Sequence, residues 1–239
     1  MAVETGSPAA GFPNAHLLWS PAQLHARLGD ERLALLDVRP SHEVMTGIIP
    51  GAAHLDLYGV GLTRTTPELF EEWVHLMRSL LGLRGVGMDK TVVLYEEHQT
   101  GIRAARAFWL LEYFGHGDVH VLDGGIRAWR EDGYETTQEM AAPRPARLPI
   151  APQAERFVSA DDLHALLGQP DLLPLDTRGD DEHYGRNTRG GPRGGTIPGA
   201  VHLEWTNTLD ERGRMKPAAE LAALFERHGV TRDKRIVPF

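Results

Sequence analysis

Residues 20–39 read SPAQLHARLGDERLALLDVR, and residues 159–178 read SADDLHALLGQPDLLPLDTR; Ser, Leu-His-Ala, Leu-Gly and Leu-Asp-x-Arg align without a gap. GIIPGAAH at 47–54 returns as GTIPGAVH at 195–202, and residues 85–95 return as 229–239. Three matches in one order define two homologous domains. The second copy carries nine extra residues within the Gly/Arg-rich stretch 182–194. The repeat divides the chain into an Ala/Gly/Pro-rich N-terminal tail at 1–16, expected to be mobile, a first domain at 17–137, a Pro/Ala-rich linker at 138–156 and a second domain at 157–239.

Within the first copy, strand and helix patterns alternate. Ser20 followed by Pro21 starts a helix, with Leu24 and Leu28 on its apolar face. The run 33–38 is apolar throughout, as in a strand covered on both faces, and 91–95 reads the same way. Residues 67–83 predict a long amphipathic helix with Leu69, Trp73, Leu76 and Leu80 on one face. Residues 103–114 predict a second, with Ala104, Ala105, Phe108, Leu110 and Leu111 packed on the sheet. Trp73, Trp109 and Trp129 read as core. The fold class is α/β: two tandem domains, each a mainly parallel sheet flanked by helices. The second is expected to be incomplete, because the counterparts of residues 96–135 do not follow Phe239. Such a sheet is expected to show an uncovered edge.

The acidic balance, 33 Asp and Glu against 25 Lys and Arg, argues against broad nucleic-acid or anionic-membrane binding. No apolar run spans a bilayer and no signal-peptide pattern opens the chain, so the cytoplasm is the default location. There is no cysteine, which removes thiol catalysis and thiolate metal sites from these residues. His116 and His120 flank a turn and a strand rather than one helix face, and no metal or cofactor is expected. His54 and His202 recur with their turns and read as structural.

Ligands of open α/β sheets bind past the carboxyl ends of the strands, where a loop feeding a helix collects N–H donors around an anion. The loop at 96–101 sits at such a place. Glu96, Glu97 and His98 could form an acid/base cluster, but a Glu96 or Glu97 carboxylate accepting loop N–H bonds as a fixed anion is the favoured reading. Asp37 and Arg39, with Asp176 and Arg178, end the matching strands. Arg178 could hold an anionic ligand; structural pairs Arg39–Glu43 and Arg178–Glu182 are favoured. The loop 185–195 is either an anion-binding flap, through Arg186 and Arg193, or a solvated insertion.

The order of motifs resembles the two-domain rhodaneses, the thiosulfate and 3-mercaptopyruvate sulfurtransferases. The residues that carry the likeness are Asp37-Val38-Arg39, 47–54, 92–95, 100–106 and 121–125 with Trp129, then Asp176-Thr177-Arg178, 195–205 and 235–239. The resemblance implies ping-pong sulfur transfer. A C-terminal-domain cysteine takes sulfur from a small anionic donor as a persulfide and passes it to a thiol or cyanide. That cysteine is expected immediately after Phe239, so the chain reads as ending just before its nucleophile and as inactive in sulfur transfer. In the first copy the equivalent place falls on Glu96, counting from the strand, or on His98, counting back from Gly101 and Arg103. Neither side chain can carry a persulfide, so the first copy resembles the family's inactive half. The competing reading is a non-catalytic rhodanese-like binding or scaffolding module. A cysteine-dependent phosphatase of related fold needs the same absent thiol.

Overall fold

The computed structural model describes residues 11–62, 64–97 and 101–239. Both copies open alike. Ser20 Oγ accepts the Gln23 N–H at 3.2 Å while Gln23 Oε1 accepts the Ser20 N–H at 2.8 Å. Ser159 Oγ accepts the Asp162 N–H at 3.1 Å. These caps satisfy donors that the first turn of a helix leaves without partners.

The first copy comprises β1 (Leu18–Trp19), α1 (Pro21–His25), β2 (Leu33–Asp37), α2 (Ser41–Val44), β3 (Ala53–His54), α3 (Pro67–Leu83), β4 (Thr91–Tyr95), α4 (Ile102–Tyr113), β5 (Val119–Leu122) and α5 (Gly125–Glu131). The second comprises α6 (Ala160–Leu166), β6 (Leu172–Asp176), α7 (Asp180–His183), β7 (Val201–His202), α8 (Ala218–Arg227) and β8 (Arg235–Pro238). All strand pairs are parallel, in the orders β1-β5-β4-β2-β3 and β7-β6-β8. Thus β4-β2-β3 of one copy returns as β8-β6-β7 of the other. The repeat is structural as well as textual.

β4 is buried along its whole length and divides two apolar clusters, one under α3 and α4, the other under α1 and α5. The second copy has a small core around Leu173, Leu175 and Leu203. Its two strand prolines sit where the ladder asks nothing of their missing N–H. Arg235 and Phe239 donate to β6-side carbonyls, at Asp171 and Leu175, which turns Pro238 toward the outer edge of β8. Pro174 precedes the stretch of β6 that pairs with β7, which begins at Leu175.

Two expectations change, for the tail and for α3, and the linker takes a defined path. The tail was expected to run to residue 16, but β1 pairs with β5 and the His16 carbonyl lies 2.7 Å from His120 Nδ1. Residues 1–10 lie outside the described residues. The linker is an extended strap pinned to the first copy. Ala141, Ala146 and Ala151 donate to Ala52, Gly82 and Phe114 carbonyls, and Leu148 enters the core. Finally, α3 is rotated relative to its expected face. Trp73, Val74, Met77 and Leu81 are buried, while Leu69 and Leu76 are exposed. Two apolar stripes run along this helix, and the sheet takes the one carrying the larger ring. On α4, Ala105 likewise faces outward.

Candidate active site

Each copy builds the same corner at the end of its central strand. In the first, Arg39 folds back on Asp37: Nη2 donates to Oδ2 at 2.6 Å and Nε to Oδ1 at 3.0 Å. Its remaining donors reach the Gly47 carbonyl at 2.8 Å, the Glu43 carbonyl at 3.3 Å and Glu97 Oε2 at 3.5 Å. In the second, Arg178 donates to Asp176 Oδ2 at 2.7 Å, to Oδ1 at 2.9 Å and to the Gly195 carbonyl at 3.0 Å. The pairs expected with Glu43 and Glu182 are therefore replaced by bidentate pairs two residues back along the chain. A planar fork next to an Asp at the strand end closes a tighter ring than one reaching to the next helix. Glu43 offers Arg39 its carbonyl, and Glu182 pairs with Arg189 at 2.8 Å. His54 and His202 Nε2 lie 2.8 Å from the Arg39 and Arg178 carbonyls, bracing both turns identically.

The copies differ in what else supports the aspartate. In the first, the Tyr95 hydroxyl stands against Asp37 and accepts the Ile49 N–H at 3.1 Å. Burial, aided by Asp37, raises its pKa well above that of a free phenol. In the second, Phe239 takes the place of Tyr95 and carries no hydroxyl. Thr196 Oγ1 donates to Asp176 Oδ2 at 2.7 Å, and His183 Nδ1 lies 3.0 Å from it. Burial alone would raise the Asp176 pKa. The bonds from Arg178, Thr196 and His183 outweigh it and hold the carboxyl well below the usual range.

The loop after β4 shows how the strand end treats an anion. Glu96 is buried, and its Oε1 accepts the Ala104 N–H at 3.0 Å in the first turn of α4. The β5–α5 turn presses on the loop from below. Ile126 donates to the Glu96 carbonyl at 2.9 Å, and Gly125, at φ +58°, leaves no room for a Cβ against the Glu96 and Glu97 carbonyls. Glu97 lies near Arg39 and Arg130, Gly101 starts α4, and Arg103 pairs with Asp56. His98 lies outside the described residues.

Between the copies lies a crevice of about 720 Å³, lined among others by Tyr58, Ile102, Arg178, Glu182, Arg189 and Trp205. Arg178 borders it and lies over the Phe239 ring, 5.2 Å from its centroid. Arg186 pairs with Asp181 on the surface, and neither it nor Arg193 lines the crevice. Arg189 of the same loop does, held at φ 50° by a turn in which its N–H donates to Asn187 Oδ1 at 3.0 Å. The sequence offers Arg189 only as part of a basic patch with Arg186 and Arg193, and it gave no sign of Tyr58 or Trp205 at the crevice. The available signal for Arg189 was Asn187 two residues before it, a side chain suited to closing a local turn.

Tandem parallel α/β domains with duplicated Asp-x-Arg corners, and a carboxylate held at the strand end of the first, define the architecture to be compared with known proteins. A family search matches residues 20–132 to the rhodanese-like domain. The thiosulfate sulfurtransferase of Azotobacter vinelandii is 31% identical over 95% of this chain and 83% of its own length. The chain belongs to the rhodanese family of sulfurtransferases. Among solved structures, SseA from Escherichia coli, a 3-mercaptopyruvate sulfotransferase of rhodanese fold, superposes with a TM-score of 0.76 at 26% identity, covering 93% of this chain and 87% of that one. The anaerobic ergothioneine biosynthesis enzyme of Chlorobium limicola shares the fold at 19% identity and a TM-score of 0.79; the match covers 95% of this chain and 61% of the longer enzyme.

Proposed function

We propose that the chain is the framework of a sulfurtransferase moving sulfur from thiosulfate or 3-mercaptopyruvate to cyanide or a thiol, with the nucleophilic cysteine supplied by the residue after Phe239. The observation that carries this is the correspondence of β4 and β8, each laid parallel beside the strand that bears its copy's Asp-x-Arg corner. Position 96, directly after Tyr95, holds a carboxylate on a helix N-terminal N–H. The same position after Phe239 would hold a thiolate as the anion, with its pKa lowered by equivalent donors. The thiolate attacks the outer sulfur of thiosulfate, the S–S bond breaks and sulfite leaves with the electron pair. Cyanide then takes the outer sulfur of the persulfide and returns the thiolate. Arg178 and Arg189 line the crevice from the second copy, which supports reading them as the cations that hold the donor. Arg186 and Arg193 are secondary candidates that would need the loop to move.

The 239 residues contain no thiol and are expected to form no thiocyanate from thiosulfate and cyanide. A product extended in frame by the coding sequence, with cysteine first, is expected to turn over. Thiocyanate from the 239-residue chain, or an in-frame codon other than cysteine, would sink the proposal. The absence of cysteine favours a second reading, a non-catalytic binding module, which the same sequencing decides. A cytoplasmic location is proposed with the enzyme reading; among the described residues no helix is long and apolar enough to cross a membrane.

A further inference from the structure

α3 buries one face and leaves a second apolar line uncovered. Leu69, Leu76 and Leu83 are 48%, 47% and 52% exposed and recur every seventh residue. At 1.5 Å per residue they form a ridge about 21 Å long on one side of the helix. Single exposed leucines are ordinary, but three a heptad apart form a continuous apolar ridge along one side of the helix. The ridge is asymmetrically charged. Glu68 and Glu72 flank its N-terminal end. Arg78 and Arg147 flank its C-terminal end, where a groove of about 410 Å³ runs between α3 and the linker strap, bordered by Ser79, Gly82 and Leu83. Among the described residues, Glu68, Glu72, Arg78 and Arg147 make no ion pair.

From this we infer that α3 is a self-association surface whose occupant is α3 of a second copy of this chain, packed antiparallel about a twofold axis through Leu76. An isologous contact requires a patch that complements itself when reversed. Reversal here sets Leu76 on Leu76 and Leu69 on Leu83. It brings the acidic end of each helix over the basic groove of the other. A parallel pair would instead set acid on acid and base on base. The patch is small for a permanent interface, so the dimer is weak and reversible. It leaves the interdomain crevice uncovered and does not depend on the sulfur-transfer reading.

Sedimentation velocity across a concentration series tests this, with a dissociation constant expected on the order of 10 µM at low salt. Leu76→Glu puts two carboxylates on the axis and is expected to raise it at least about 100-fold, with an unchanged far-ultraviolet circular dichroism spectrum. Glu72→Arg and Arg78→Glu should each weaken association, and together restore most of it. High salt should weaken the wild type and the restored double variant alike. A wild type that stays monomeric to about 0.1 mM overturns the inference. So does a dimer insensitive to Leu76→Glu, which would be assembling elsewhere, for example along the outer edge of β8.

Discussion

Arg39 and Arg178 occupy the same place in two copies of one motif, and both grip an aspartate two residues before them. Arg39 has no side-chain exposure; Arg178 retains 32%. Around Arg39 every donor is taken up by carbonyls and carboxylates of its own domain, Glu97 among them. The Arg178 guanidinium instead borders the crevice between the copies. The comparison separates two uses of one arrangement. A sealed fork makes a strand end rigid, whereas a fork bound on one side and open on the other keeps cationic surface available to a ligand.

The largest expected effect is at the sealed corner. Arg39→Ala strands a fully buried Asp37 carboxylate and is expected to cost about 3–5 kcal/mol in denaturant unfolding. Arg178→Ala should cost less, about 1–3 kcal/mol, because Thr196 and His183 still serve the equally buried Asp176 carboxylate. Equal losses would end the distinction between the corners. Next comes the exchange of the ring that follows each strand. Tyr95→Phe removes the acceptor of the buried Ile49 N–H, for an expected loss of about 1–3 kcal/mol. Phe239→Tyr should change stability by about 0.5 kcal/mol or less, since Asp176 already has its donors.

A smaller effect is expected from Thr196→Val, which gives the second corner an apolar side chain where the first has Ile48. It removes one short hydrogen bond to Asp176 and should cost about 1 kcal/mol at pH 7. The sign of its pH dependence follows from the depressed Asp176 pKa. The stabilisation is present above the unfolded carboxyl value, about 3.9, and is lost as pH falls through the lower folded value. Wild type and variant should therefore converge in acid. A difference that persists undiminished at low pH would mean that Thr196 acts through packing and not through the carboxylate.

Much of this was legible before the structure. Gapless motifs gave the duplication, apolar runs gave parallel strands, and the carboxylate after β4 could be read as a fixed anion. What escaped depended on details that repeats and periodicity do not encode. α3 carries two apolar stripes, and Leu69 and Leu76 share a helical pattern with Trp73 although only the tryptophan is buried. Three arginines crowd the loop at 185–195, and which one reaches the crevice depends on a turn with positive φ at Arg189. The expected partners Glu43 and Glu182 lie further along the chain, whereas a strand-end Arg reaches back across a single residue to Asp37 or Asp176.

The last and smallest test concerns the joint between the copies. Asp123 ends β5 of the first copy, yet its Oδ1 accepts the Met215 N–H of the second at 3.0 Å. Its Oδ2 is buried without a hydrogen-bond partner. Burial raises its pKa, with the Met215 N–H and Arg214 opposing. A raised carboxyl pKa means that the fold prefers the protonated side chain. That contribution is complete below about 3.9 and is lost as pH rises through the folded value. Asp123→Asn keeps an acceptor for Met215 and stays neutral, so it should stabilise by about 0.5 kcal/mol at pH 7 and by nothing near pH 3. Arg214 limits the gain, because the variant gives up its attraction to the carboxylate. If Asp123→Asn instead destabilises at pH 7, the charge matters more than its burial, and the two copies are held together through Arg214 as well as through the Met215 hydrogen bond.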